Sequence, residues 1–150
     1  MEKVKEVPYG VADFVTVMEQ NLYYVDKTMF IPELEKQPRN LFFIRPRRFG
    51  KSTFLSMLHS YYDCNQSAKF QSLFGNLWIG QHPTELQGKY QVLFLDFSQV
   101  SGNIDSLERN FDFYCSVKLD GFMRRYGEAY SEETREKVRK AEYAMDKLAF

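Results

Sequence analysis

Gly50-Lys51-Ser52-Thr53 is a run of residue types that holds phosphate. A glycine lets backbone approach phosphate oxygens with no Cβ in the way. A lysine directly after it reaches the β- and γ-phosphates, and the next hydroxyl binds Mg²⁺. The run follows Arg45-Pro46-Arg47-Arg48-Phe49, so Arg45, Arg47, Arg48 and Lys51 form the sharpest cluster of cations in the chain. The full pattern, GxxxxGK[ST], requires glycine at position 45, where this chain has Arg45. Gly-Lys-Ser alone is a weak signal. The competing reading is a basic turn whose arginines bond carboxylates.

Such chemistry needs a loop held between a strand and the N-terminus of a helix, where unpaired N–H groups and the positive dipole end meet an anion. The neighbouring sequence predicts that order. Leu41-Phe42-Phe43-Ile44 is a continuous apolar run, as in a strand buried on both faces. Residues 51 to 62 repeat apolar side chains at three- and four-residue spacing, with Phe54, Leu55, Leu58, Tyr61 and Tyr62 on the helical stripe.

The rest of the chain reads as further short elements. Val7-Pro8-Tyr9-Gly10 is a turn, and Ala12 to Gln20 a short helix with Phe14, Val17 and Met18 on one face. Thr28 caps a helix that tolerates Pro32 in its first turn. The stretch KFQSLFGNLWIG reads as a short helix and then an extended piece. Gln91 to Phe97 is the second buried-strand candidate. Helices follow from Ile104 to Tyr126 and from Ser131 to the end. In the last, Ser131 caps, and Glu133–Lys137 and Glu136–Lys140 are favourable pairs on a solvated face.

Composition sets the limits. With 150 residues, the chain suffices for one domain with a real core and is short for two. Aromatic residues at 17% exclude a disordered chain. Twenty acidic and twenty basic residues cancel, so bulk charge gives no reason to expect nucleic-acid or membrane binding. The opening residues are charged where a signal peptide is apolar, and no run approaches membrane-spanning length. Cys64 and Cys115 lack zinc-ligand or CxxC spacing and read as reduced thiols, which points to the cytoplasm.

Five blocks in order, PYGVADF, YYVDKTMFIPEL, RPRRFGKST, LFGNLWIG and KYQVLFLDFS, resemble the prokaryotic AAA-ATPase-like family over about residues 7 to 100. YVDKT and RPRRFGKS together are far more specific than Gly-Lys-Ser alone. In that family RPRRFGK[ST] serves as the phosphate-binding loop, with arginine tolerated in place of the opening glycine. The resemblance implies an ATP and Mg²⁺ site on Arg45, Pro46, Arg47, Arg48, Phe49, Gly50, Lys51, Ser52 and Thr53, with Ser52 on the metal. Guanidinium groups match phosphate oxygens in pairs, so one of Arg45, Arg47 or Arg48 adds charge stabilisation; pairing with acids of the same domain is the alternative. The implied fold is α/β of the P-loop NTPase type, an incomplete parallel sheet with flanking helices. The chain would be the N-terminal portion of a single such domain.

Asp96, at the end of the second apolar run, invites assignment as a magnesium carboxylate. Phe97 follows it, where AAA ATPases usually place a glutamate. In the family it resembles, the catalytic acids sit in a later strand like LIDEYD, absent from these residues. Asp96 therefore reads as a structural acid. Many relatives continue into a restriction-endonuclease-like module, whose signature is missing here, so nucleic acid enters as a partner only through such a downstream module. His59 reads as structural and His82 as a loop residue, and Asp26 and Lys27 read as a local cap and ion pair, with orientation of the nucleotide or a neighbouring loop as the alternative. Tyr9, Tyr23 and Tyr24 read as packing residues before adenine-stacking ones. The expected function is Mg-nucleotide binding, coupled to hydrolysis in full-length relatives. A non-hydrolysing switch or scaffold and an arginine-rich nucleic-acid module are the alternatives. Two apolar strands without neighbours would expose their edges and favour self-association.

Overall fold

A computed structural model describes residues 4–38, 40–141 and 143–148, without the side chains of 145 and 148. The chain divides into two compact units, Met1–Gln91 and Val92–Phe150.

In the first unit, α1 (Phe14–Glu19), α2 (Ile31–Glu35), α3 (Lys51–Tyr62), α4 (Phe70–Phe74) and α5 (Trp78–Gln81) surround one apolar core. Phe14, Ile31, Phe54, Met57, Tyr61, Leu73, Phe74 and Ile79 are its buried members. The Phe74 ring stacks on Phe14 at 5.0 Å and meets Tyr61 edge-on at 5.6 Å. Polar contacts fix the order of the pieces. Asp13 caps α1 by accepting from the Thr16 N–H at 2.8 Å, and its other oxygen accepts from the Ser56 hydroxyl at 3.1 Å. Ser56 in turn accepts from the Phe14 N–H at 3.0 Å, so the start of α1 is tied to the middle of α3.

α3 has the expected bounds, with a rotated stripe. Phe54, Met57 and Tyr61 are buried, whereas Leu55 is exposed and Leu58 and Tyr62 are partly covered. The expected turn at residues 7–10 is present, with Gly10 at φ +73° and the Tyr9 N–H bonded to the Val7 carbonyl. Thr28 opens a short 3-10 turn, Thr28–Phe30, and Pro32 sits in the first turn of α2.

In the second unit, α6 (Ile104–Tyr126), capped by Asn103, buries Cys115, Leu119 and Tyr126 along one side. α7 (Glu132–Lys140) begins at the Ser131 cap and carries the expected Glu133–Lys137 and Glu136–Lys140 pairs at 2.8 and 3.5 Å. It stops at Ala141, and α8 (Ala144–Leu148) follows with its Ala144 N–H donated to Asp112 at 2.7 Å. Positions 142, 149 and 150, part of the expected final helix, lie outside the described residues.

The α/β expectation is overturned. Among the described residues there is no strand, and the sole β-type pairing is an isolated parallel bridge between Asp63 and Tyr90. Residues 41–44 and 91–96 are irregular, and 97–99 form a 3-10 turn. An apolar run states what a strand would be made of; a ladder also needs a neighbour to pair with. Phe42 and Ile44 are 91% and 86% exposed, the opposite of a strand covered on both faces. The segment expected to be extended after α4 is instead the helical turn α5.

Candidate functional site

The YVDKT and LFGNLWIG stretches bond to each other. Asp26 Oδ1 accepts from the Thr28 N–H and hydroxyl at 2.8 and 2.7 Å. Its Oδ2 accepts from the Trp78 N–H at 2.7 Å, across 52 residues of chain. The fully buried Thr28 hydroxyl accepts from the Ile79 N–H at 3.1 Å. Two free N–H groups at the start of α5 are thereby satisfied, the service a helix cap normally performs from within its own sequence. Residues 26–28 are pinned by this, and the Lys27 ammonium lies 3.6 Å from where a Cβ on Gly50 would stand.

Gly50 caps α3 with φ +72°, and Arg48 has φ +66°. Left-handed residues with an ordinary one between them turn successive N–H groups toward a common side, a concavity that suits anions. Beyond it begins a 12-residue helix with no side-chain cap. Lys51 closes the loop across itself: its ammonium donates to the Arg45 carbonyl at 2.8 Å and the Pro46 carbonyl at 2.9 Å. A lysine has three N–H donors, so one remains for a ligand. The Arg45 guanidinium lies 5.9 Å from the Phe43 ring centre, and Phe43 stacks on Phe54 at 5.1 Å, which anchors the incoming chain to α3.

All nine expected residues, Arg45 to Thr53, therefore fall on one loop and the first turn of α3. Arg45, Arg47, Arg48 and Lys51 form no ion pair among the described residues, so the alternative of arginines bonded to acids has no support. The Ser52 side chain is exposed at the helix start. Lys27, expected in a local ion pair, forms none among the described residues.

Two cavities flank the loop. One of about 410 Å³ is lined by Phe30, Phe43, Phe49 and Phe54 together with Lys27 and Arg45. The other, about 140 Å³, lies against Tyr23, Tyr24, Lys27, Gly50 and Thr53. Tyr24 packs edge-on against Phe14 at 5.3 Å, which fits a packing role, and burial pushes its phenol well above the ordinary range. Tyr9 is exposed. His59 bonds Asp63 at 3.1 Å, and His82 bonds the Trp78 carbonyl at 3.0 Å, consistent with structural roles. In the second unit, Asp96 caps the 3-10 turn Phe97–Gln99 through the Ser98 N–H at 3.1 Å, again a structural use. Among the described residues no three His, Cys, Asp or Glu side chains converge as metal ligands, and no helix is long and apolar enough to cross a membrane.

A cation-rich loop at a helix start has a geometry that suits anions in general. A family model described as "Predicted AAA-ATPase" matches residues 8–148, and the chain belongs to that family. Over 63 residues it is 43% identical to an uncharacterized protein in the vnfD 5' region of Azotobacter chroococcum mcd 1. That alignment covers 41% of this chain and 12% of the relative, so the chain matches a small part of that protein's length. No solved structure matches the chain.

Proposed function

We propose that residues 45–53 bind the phosphates of ATP with Mg²⁺, as a Walker A-type loop in which Arg45 replaces the first glycine. The observation that carries this reading is the Lys51 ammonium, held across the loop by the Arg45 and Pro46 carbonyls. Those two bonds orient the side chain before any ligand arrives and leave one donor for a phosphate oxygen. Gly50 supplies close backbone approach, and the backbone of Pro46, Phe49 and Thr53 shapes the loop. The exposed Ser52 hydroxyl is a ligand for Mg²⁺, a hard cation that takes oxygen donors and shares the phosphates. Arg45, Arg47 and Arg48 add unpaired positive charge. The residue types and the helix start fit the group, although no strand precedes the loop among the described residues.

Of the acids near the loop, Asp26 is engaged by backbone N–H groups and Glu33 by Lys36 at 2.8 Å. The reading for this chain alone is therefore binding, with hydrolysis belonging to longer relatives. Calorimetric titration with ATP–Mg²⁺ tests it. Lys51→Ala is expected to weaken affinity at least about tenfold, or 1.4 kcal/mol. Equal affinities, or no heat from the wild type at saturating ATP, would sink the reading.

The exposed Phe42 and Ile44 beside this loop favour self-association of the chain. Light scattering over a concentration series should show a mass above the monomer, and a concentration-independent monomer would rule it out.

A further inference from the structure

The geometry points to Lys27 as a second phosphate-binding cation of this site, facing the loop from the YVDKT segment. The inference rests on the phosphate-loop reading above and adds a residue that lies outside the loop. The Lys27 side chain is half-buried and forms no hydrogen bond or ion pair among the described residues. A partly desolvated ammonium without an acceptor is unfavourable, and other cations nearby make it more so. Lys27 shares the larger cavity with Arg45, and its ammonium approaches Gly50 at the start of α3. It also lines the smaller cavity, so both cavities border it.

Its placement is fixed. Asp26 and Thr28, on either side, are bonded to the first N–H groups of α5. Shifting the Lys27 backbone away from Gly50 would break bonds on both flanks, so the root of its side chain is held beside the loop. An anion with several charged oxygens would bond both Lys27 and Lys51. That chemistry is a nucleoside di- or triphosphate, or an inorganic polyphosphate.

The test titrates wild type, Lys27→Met, Lys27→Arg and Lys51→Ala with ATP–Mg²⁺, inorganic triphosphate and adenosine. Lys27→Met should lose about tenfold in affinity for both phosphate ligands, with adenosine unaffected. Lys27→Arg should keep most of the affinity, since the charge is retained. The melting temperature of Lys27→Met without ligand should be no lower than that of the wild type, which separates a ligand contact from a structural role. A second measurement needs no variant: triphosphate should slow acetylation of Lys27 in the wild type. If Lys51→Ala loses binding while Lys27→Met binds normally, or if Lys27 labels equally fast with and without triphosphate, the inference fails and the loop reading stands. If the wild type binds no phosphate ligand, both fail.

Discussion

The sequence uses Asp-x-Ser/Thr twice in the same local geometry, to different ends. Asp26 Oδ1 accepts from the Thr28 N–H and hydroxyl at 2.8 and 2.7 Å; Asp96 Oδ1 accepts from the Ser98 N–H and hydroxyl at 3.1 and 2.7 Å. The second oxygen separates them. In Asp26 it receives the Trp78 N–H from 52 residues away, while Thr28 receives the Ile79 N–H. In Asp96 it meets the Gln99 amide, three residues on, at 3.5 Å. The first turn joins distant pieces of a core and places a lysine between its two bonding residues. The second finishes a segment and presents Phe97. A local motif shared by both places thus says little about role; the long-range partner decides it.

The largest expected effect follows directly. Thr28→Val leaves the buried Ile79 N–H without an acceptor, which costs about 1–3 kcal/mol. Asp26→Ala removes the cap on Trp78 and the brace on Thr28, and a loss of about 2 kcal/mol is expected. Urea unfolding measures both. Asp26→Ala should also weaken ATP binding, because Lys27 loses its fixed position. Unfolding midpoints for Asp26→Ala that match those of Asp96→Ala would erase the contrast between the two turns.

How much of this was legible depended on how local its cause was. α3 and α6 were readable to their ends, because apolar spacing, Gly50 and Asn103 are all written within the element. The loop was readable from Gly-Lys-Ser and its flanks. From sequence, α5 reads as an extended piece because its cap is Asp26, far away along the chain. Leu41–Ile44 and Gln91–Phe97 read as strands on apolar content alone, yet pairing depends on a neighbour that apolar content does not specify. The proximity of Lys27 to Gly50 was hidden for the same reason, since it arises from bonds spanning half the first unit.

A smaller effect sharpens the comparison within the first unit. Gly50 and Gly10 have nearly the same left-handed backbone, φ +72° and +73°. Alanine at either costs about 1 kcal/mol in that conformation. A Cβ at Gly10 meets nothing within 4 Å, whereas at Gly50 it stands 3.6 Å from the Lys27 ammonium. Similar losses of stability are therefore expected, with loss of ATP affinity confined to Gly50→Ala. Equal loss of affinity in both variants would mean that binding tracks general stability rather than the loop.

The smallest effect belongs to Asp96. The Ser98 hydroxyl, and then its N–H, hold the Asp96 carboxyl below the usual carboxylate range, while Lys118 adds a minor pull in the same direction. A carboxyl whose folded value is lowered contributes its stability above its unfolded value and loses it as pH falls through the folded one. Any difference between wild type and Asp96→Ala should thus be confined to neutral pH and vanish in acid. Because the bonds of the Asp96 side chain are local and exposed, urea midpoints at neutral pH should barely separate the two. The same reasoning bears on chemistry. An acid whose oxygens are engaged by Ser98 and Gln99 is a cap, so ATP turnover by this chain should sit at background in wild type and Asp96→Asn alike. Phosphate release well above background in the wild type, abolished in Asp96→Asn at unchanged ATP affinity, would make Asp96 catalytic and reverse the order of the two turns.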